Sequence, residues 1–206
     1  MPPVVLQNLP GHAEAITSPP MVGNKLLSAE EFEAMPESGD PCELVKGVIQ
    51  PHMPNNVIHS EISAAVAYLL REHVIKHRLS MRILSGEVGV HTVQGAETTT
   101  RAADLAVISK ERLPVLPESG FLRVMPELLV EIISGSNTWT DTFEKIYEYF
   151  EGGAKLVWIV DPAMQEVRVF QSAKDNDLLR ASSGDALTGG DVLPGFSVPV
   201  ADVFAV

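Results

Sequence analysis

Two acidic residues interrupt runs of apolar residues in the middle of the chain. Asp104 lies within the run 102–108, and Glu131 lies within the run 128–133. Short apolar runs predict strands that are covered on both faces, and a buried carboxylate there is unfavourable unless it is paired. If the strands are neighbours, repulsion between the acids requires a cation or a shared proton. The pattern indicates a site for Mg²⁺ or Mn²⁺, with solvated strand ends or buried salt bridges as the alternatives.

Several short motifs occur along the chain in an order that a known family shares. They are residues 43–47, His59, residues 103–107, residues 126–136, the helical positions Asp141, Lys145 and Tyr149, residues 157–162 and residues 193–196. Each motif is weak alone. In this order and spacing they resemble the bacterial restriction endonuclease domain family of the PD-(D/E)XK nuclease superfamily. The resemblance extends from about Ser28 to the C-terminus.

The resemblance implies a metal-dependent endonuclease with two acidic ligands and a catalytic lysine. Asp104 matches the first acid of the superfamily motif and Glu131 the second, and both would hold Mg²⁺ or Mn²⁺. The superfamily's usual lysine position is Ile133, so Lys145 on the following helix is the expected substitute. Glu43 is expected as an additional metal ligand, with an ordinary strand-end acid as the alternative. DNA is the expected substrate, and the sequence allows a homodimer.

The helix predicted over about 138–151 leaves two interpretations of Lys145. At about 100° per residue, one face of this helix is apolar and is expected to pack on the core. Its members are Trp139, Phe143, Ile146 and Phe150. Lys145 lies with Asp141 on nearly the opposite face. That face is either solvated, with a weak acid–base pair, or exposed to a cleft in which the lysine acts.

Two further positions are weaker candidates for a functional role. His59 lies near the start of a long helix predicted over about 57–78, where a lone histidine is expected as a capping or surface residue rather than a base. Residues 134–136 precede the second helix and could hold a phosphate at its N-terminus. A plain loop is the favoured interpretation there.

The charge of the chain argues against broad electrostatic attraction to nucleic acid. The formal net charge is −12, whereas proteins that bind nucleic acid usually carry a basic surface. Positive residues nevertheless cluster at the end of the long helix, and they are Arg71, Lys76, Arg78 and Arg82. This basic cluster is a candidate contact for DNA phosphates, whereas the favoured interpretation is that it stabilises the helix C-terminus through the helix dipole.

The order of predicted elements indicates an α/β (α+β) fold. A hairpin over 43–49 precedes the long helix, strands and the second helix follow, and another hairpin lies over 155–170. We expect a restriction-endonuclease-like mixed β-sheet flanked by helices, with N-terminal and C-terminal β-hairpins. Prolines among small and polar residues predict a flexible N-terminal arm over residues 1–24. Residues 25–206 are expected to form a single domain.

Composition favours a cytoplasmic globular protein. The only cysteine, Cys42, excludes an intrachain disulfide, which suits a reducing compartment. No apolar run approaches the roughly 20 residues that cross a membrane, and the first residues lack the pattern of a secretory signal. The expected function is hydrolysis of DNA, with RNA or a small phosphodiester as further candidate substrates. The alternative is a nucleic-acid- or protein-binding module that kept the fold without turnover.

Overall fold

The structure, a computed structural model, describes residues 26–36, 41–51, 54–93, 98–134, 138–173, 179–182 and 184–205. Its helices are α1 (Ala29–Glu33), α2 (Val57–Lys76), α3 (Trp139–Glu151) and α4 (Val200–Val203). Its strands are β1 (Cys42–Val45), β2 (Val48–Pro51), β3 (Met81–Val93), β4 (Thr99–Ser109), β5 (Leu128–Ile132), β6 (Leu156–Asp161), β7 (Glu166–Phe170), β8 (Leu179–Ser182), β9 (Ala186–Thr188) and β10 (Ser197–Pro199). The predicted arm over 1–24 and residues 135–136 of the predicted phosphate-binding turn lie outside the described residues.

One eight-stranded mixed sheet organises the fold. Its strands follow the order β2-β1-β4-β5-β6-β7-β8, and β3 pairs with β4. Neighbouring strands are antiparallel except for β5 and β6, which are parallel. Because a parallel pair needs a crossover connection, α3 lies between these two strands in the chain. The predicted mixed sheet is confirmed, together with the N-terminal hairpin β1–β2 and the C-terminal hairpin β6–β7.

Alternate residues of the central strands contribute to two cores on opposite faces of the sheet. The core beneath α2 includes Ile62, Val66, Leu128, Val130 and Trp158. The core beneath α3 includes Leu129, Ile146, Tyr149, Val157 and Ile159. The sheet is therefore flanked by helices on both faces, as the order of elements predicts. Within the described residues, no helix is both long and apolar enough to cross a membrane.

The hairpin β1–β2 depends on a two-residue turn with left-handed backbone. Lys46 has a φ of 51° and Gly47 a φ of 77°, which are typical of the turns that suit twisted hairpins. A Cβ atom at Gly47 would lie 2.7 Å from the Cβ atom of Leu26, so the position requires glycine. The Lys46 amide also donates to Thr99 Oγ1 at 3.1 Å. These contacts fix β1, which carries Glu43, against the start of β4.

The long strand β3 is bulged where it passes the first acid. Residues 81–93 form one continuous strand. Its register with β4 shifts between Ser85 and Val88, which pair with Leu105 and Ala103. The bulge therefore faces Asp104. Bulges of this kind often lie beside active sites, where they redirect side chains.

Candidate active site

Asp104 and Glu131 lie opposite each other where β4 and β5 cease to pair. The antiparallel register ends at Leu105 and Val130, and the next positions on the two strands are the two acids. In place of the next backbone pair, the amide of Ile132 donates to Asp104 Oδ2 at 2.7 Å. Both acids are buried. The two interrupted apolar runs therefore belong to neighbouring strands, and their acids meet at one place.

Asp104 has a second partner in His59, which the start of α2 supplies. The Asn56 side chain caps α2 and accepts from the His59 amide at 2.9 Å, and His59 Nε2 lies 3.1 Å from Asp104 Oδ2. Burial alone would lower the pKa of His59, but the hydrogen bond and charge of Asp104 raise it above its ordinary value. Only 4% of His59 is exposed. The prediction that His59 is a capping or surface residue is therefore wrong, because its side chain points inward to the first acid.

Glu131 is held by two side chains from α3. Its Oε1 accepts from the Tyr149 hydroxyl at 2.5 Å, and its Oε2 accepts from Lys145 Nζ at 3.3 Å. Burial and repulsion from Asp104 and Glu43 outweigh these contacts and raise the pKa of Glu131 to about 7. Burial is the largest cause of this shift, and the repulsion adds to it. A cation beside Glu131 would favour its charged form.

Lys145 connects the second acid to Glu43. Its Nζ lies 2.8 Å from Glu43 Oε1 and 3.3 Å from Glu131 Oε2, and 17% of its side chain is exposed. Burial alone would lower the pKa of Lys145, but the two glutamates raise it above its ordinary value. The interpretation of a solvated pair with Asp141 is wrong, since Asp141 instead contacts the capping Thr138. Lys145 faces the acids as a buried ammonium ion.

The orientation of α3 differs from the one that its apolar residues predict. Trp139 is 37% exposed and Phe143 is 44% exposed, although both belong to the face that was expected to pack on the core. Ile146 alone of that face is fully buried, and Phe150 is half-buried. The helix turns its polar side to the sheet because ion pairs and hydrogen bonds there satisfy groups that would otherwise be buried without partners.

Arg101 and Glu148 complete the site. The sequence patterns did not predict either residue as part of it. Arg101 donates to Glu148 through Nε at 2.7 Å and through a terminal nitrogen at 2.9 Å, and to Glu43 Oε2 at 3.1 Å. Both members of the pair are buried. Arg101 lies in β4 only three positions before Asp104, and Glu148 is three positions after Lys145. A second charged residue in the same strand as Asp104 was the available indication.

Both oxygens of Glu43 have partners inside the protein. Oε1 accepts from the Ala102 amide at 3.0 Å and from Lys145, and Oε2 accepts from Arg101. Burial alone would raise the pKa of Glu43, but Lys145, the Ala102 amide and Arg101 lower it below its ordinary value. Glu43 is therefore a stable anion that holds Lys145 and Arg101. Its predicted place as a metal ligand would require one of these contacts to change.

The donor set fits an oxygen-bound divalent cation, although it is not arranged as a complete cage. Among the described residues, no group of three or more histidine, cysteine or acidic side chains is arranged to hold a metal ion by itself. The meeting of two buried carboxylates, Asp104 and Glu131, is the observation that favours a cation. Mg²⁺ is commonly held by one or two carboxylates, with water and substrate phosphate completing its coordination. Asp104 and Glu131 match that requirement.

The basic cluster lies far from the acids. Arg71, Lys76 and Arg78 are exposed near the C-terminal end of α2, whereas His59 lies at its N-terminal end. Seventeen residues of helix separate His59 from Lys76, or about 25 Å at 1.5 Å per residue. Arg82 differs from the other three because it donates to the carbonyl oxygens of Leu113 and Pro114 at 3.1 and 2.9 Å. Arg82 thus anchors a loop.

The structure is a mixed sheet flanked by helices, with two acids where two central strands part. This is the arrangement of a restriction-endonuclease-like fold. Residues 29–201 match the Uma2 family, described as "Putative restriction endonuclease", and the chain belongs to this family. A similar solved structure is that of a protein described as a "putative nuclease belonging to DUF820" from Anabaena variabilis ATCC 29413. The TM-score is 0.72 at 20% identity, over 87% of this chain and 98% of that chain. At this identity the likeness concerns the fold alone. No match was found among curated proteins.

Proposed function

We propose that the protein is a metal-dependent endonuclease that hydrolyses phosphodiester bonds in DNA. The observation that carries the proposal is the meeting of Asp104, Glu131 and Lys145 where β4 and β5 part. Membership of a family of restriction-endonuclease-like proteins supports the reaction class. The acids lie on strands and the lysine lies on a helix, so the scaffold holds all three on rigid elements.

In this proposal Asp104 and Glu131 hold Mg²⁺ or Mn²⁺. When bound, such an ion polarises a phosphate oxygen and lowers the pKa of a water molecule. The contact between Asp104 and the Ile132 amide fixes the first acid against the strand that carries the second. His59 orients Asp104 from the other side. Glu43 is a further candidate ligand, since it contacts the same lysine as Glu131.

Lys145 acts in this proposal as a fixed positive charge rather than as a base. Its pKa is raised by Glu131 and Glu43, so the amine stays protonated at neutral pH. A protonated lysine cannot accept a proton from water, but it can stabilise charge that develops on the phosphate oxygens. Glu43, which Arg101 holds on its other oxygen, keeps the ammonium group in place. Tyr149, whose pKa is raised by burial and by Glu131, remains a hydrogen-bond donor to the second acid.

The alternative is a binding module for nucleic acid or protein that kept the fold without turnover. Two observations favour it: each acid already has partners within the protein, and Ile133 occupies the usual position of the superfamily's lysine. The net charge of −12 also limits electrostatic attraction to phosphate. Metal binding separates the alternatives, because a binding module does not need to hold Mg²⁺ or Mn²⁺.

The proposal includes a place for DNA and for the protein in the cell. Arg71, Lys76 and Arg78 of the basic cluster would hold backbone phosphates, and Lys76 lies about 25 Å from His59 along the helix axis, or about seven nucleotides along a strand. Residues 25–206 would act as a single domain, since one sheet extends through most of the described chain. The single cysteine, Cys42, cannot form an intrachain disulfide, which is compatible with the cytoplasm. A homodimer remains part of the proposal.

Incubation with DNA tests the proposed reaction. Supercoiled plasmid and single-stranded DNA would be incubated with the protein in Mg²⁺, Mn²⁺ or chelator, with Asp104→Ala as the matched control. We expect strand cleavage that needs the metal and that the substitution removes. Absence of cleavage under every condition, with DNA binding retained, would favour the binding module.

A further inference from the structure

The outward face of α3 forms a wall of a cavity that Lys46 and Thr99 also line. The cavity has a volume of about 620 Å³, within the roughly 300–1,000 Å³ that is typical of small-ligand sites. Besides two glutamates, its lining residues are Lys46, Thr99, Thr140, Phe143 and Tyr147. The cavity thus combines aromatic walls with hydroxyl groups and one lysine. This set of groups suits a flat ligand that also carries negative charge.

Phe143 and Tyr147 present aromatic surface that the described part of the protein leaves uncovered. Phe143 is 44% exposed and Tyr147 is 57% exposed, and residues four apart share a face of a helix. Trp139 lies on the same side, but the guanidinium group of Arg168 covers its ring at 4.0 Å. Exposed apolar surface that is grouped in this way marks a site of interaction. Two rings in the cavity are therefore available for stacking.

Lys46 supplies the available positive charge beside these rings. Its backbone is fixed by Thr99, and among the described residues its ammonium group has no hydrogen-bond or ion-pair partner. The charge of Glu148 is already neutralised by the paired contact with Arg101. Glu144 adds an acceptor for N–H groups at the edge of a ligand. The polar groups can therefore meet both an anionic phosphate and a polar base edge.

The cavity shares three elements with the candidate active site. β1 supplies Glu43 and leads into the turn at Lys46, β4 supplies Asp104 and begins at Thr99, and α3 supplies Lys145 as well as the aromatic rings. Glu148 lines the cavity and contacts Arg101, which contacts Glu43, which in turn contacts Lys145. Three ion pairs thus lead from the cavity to the proposed catalytic lysine.

We propose that this cavity binds an unpaired nucleotide of the substrate, with its base stacked on Phe143 and Tyr147 and its phosphate at Lys46. The inference rests on the proposed function, because it takes nucleic acid as the substrate. In a duplex, bases are stacked on their neighbours and paired at their edges, so only an unpaired base can enter. The substrate class is therefore single-stranded or locally unpaired nucleic acid. Stacking also supplies affinity that a net charge of −12 cannot supply through phosphates.

Binding to a labelled single strand and to its duplex in EDTA tests the inference without any cleavage. The wild-type protein should prefer the single strand. The double change Phe143→Ala with Tyr147→Ala should weaken single-strand binding about 10- to 100-fold, in line with the stacking energy of one or two bases. Duplex binding should stay unchanged. The matched control is Tyr68→Ala, an aromatic residue on α2 that is 64% exposed and lies outside the cavity.

Several outcomes would overturn the inference. Equal wild-type affinity for both forms, or undiminished single-strand affinity in the double variant, would show that the rings do not stack on bases. Light scattering that finds a wild-type dimer and a monomeric double variant would show that a second copy covers the rings. Metal-dependent duplex cleavage by the double variant at the wild-type rate would leave the proposed nuclease intact while removing the preference for unpaired strands.

A different outcome would support the cavity site and contradict the proposed hydrolysis. It is single-strand binding that depends on the two rings, by a protein that binds no Mn²⁺.

Discussion

The two long helices contact the sheet in opposite ways. α2 buries apolar residues such as Ile62 and Leu70, whereas α3 buries Glu148 and most of Lys145 and leaves Phe143 partly in solvent. Apolar burial positions α2, and specific ion pairs position α3. A helix that is held by buried charges is rarely more stable than one held by apolar contacts. The difference indicates that α3 is oriented for its chemistry rather than for stability alone.

The largest effect should come from breaking the buried pair that holds α3. Arg101→Met leaves Glu148 and Glu43 without their guanidinium partner, and it should lower the free energy of unfolding by about 3–5 kcal/mol. The double change Arg101→Met with Glu148→Met removes both charges and should recover most of that loss. Urea denaturation measures both. If the single change costs no more than a surface substitution, the ion pairs do not hold the helix.

Lys145→Ala removes the charge that α3 presents to the acids. We expect the cleavage rate to fall by a factor of about 100, or about 2.7 kcal/mol, because a positioned charge that stabilises the transition state is lost. DNA affinity should hardly change. Lys155→Ala, an exposed lysine after the same helix, is the matched control in the same single-turnover assay. Wild-type cleavage by the Lys145 variant would show that this lysine has only a structural role.

The pH dependence of stability reports the burial of Glu131 and its repulsion by the neighbouring acids. Its pKa is raised from 4.5 to about 7 in the folded protein, so between these values the folded state binds more protons than the unfolded state. Without metal, the free energy of unfolding should therefore fall by about 1–3 kcal/mol as pH rises from 4.5 to 7. Glu131→Gln should lack this contribution. Denaturation of both proteins at several pH values in EDTA makes the comparison, and identical pH profiles would contradict the assignment.

The smallest effects are expected at the C-terminal end of α2. In the basic cluster there, Arg82 contacts the protein itself, whereas the other three residues are exposed. Arg71→Ala with Arg78→Ala should flatten the dependence of DNA affinity on salt by about 1–2 units, because two exposed phosphate contacts are lost. Arg82→Ala should instead lower the melting temperature, since it holds the carbonyl oxygens of Leu113 and Pro114. Affinity at several salt concentrations and thermal melting are measured on both variants. A changed melting temperature with an unchanged slope in the first variant would favour helix capping.

Patterns that depend on neighbouring residues made most of the fold predictable. The caps Asn56 and Thr138, the turn at Gly47 and the apolar runs around Asp104 and Glu131 each have a local cause, and the structure contains all of them. Even in α2, however, Ile58 lies on the apolar series of the sequence and is 58% exposed. The helical spacing of apolar residues predicts that a helix has a buried face more reliably than it predicts where that face ends.

The orientation of α3 could not be predicted from the same local patterns. Its aromatic residues predict one buried face, and the partners that reverse this choice lie far away in the sequence, on β1, β4 and β5. Arg101, Glu43 and Glu131 meet α3 only after the sheet has formed. His59 was likewise expected at the surface because its partner, Asp104, is on a distant strand. Long-range pairing of charges overrides local amphipathicity at this site.

Titration of Mn²⁺ by calorimetry most directly tests whether Asp104 and Glu131 form one metal site. The wild-type protein should bind the ion, and Asp104→Ala and Glu131→Ala should each abolish binding, since the two acids are expected to share a single cation. Asp202→Ala, which removes an exposed acid on α4, should bind as the wild type does. Binding that survives undiminished in both acid variants would contradict the account, because the cation would then lie elsewhere.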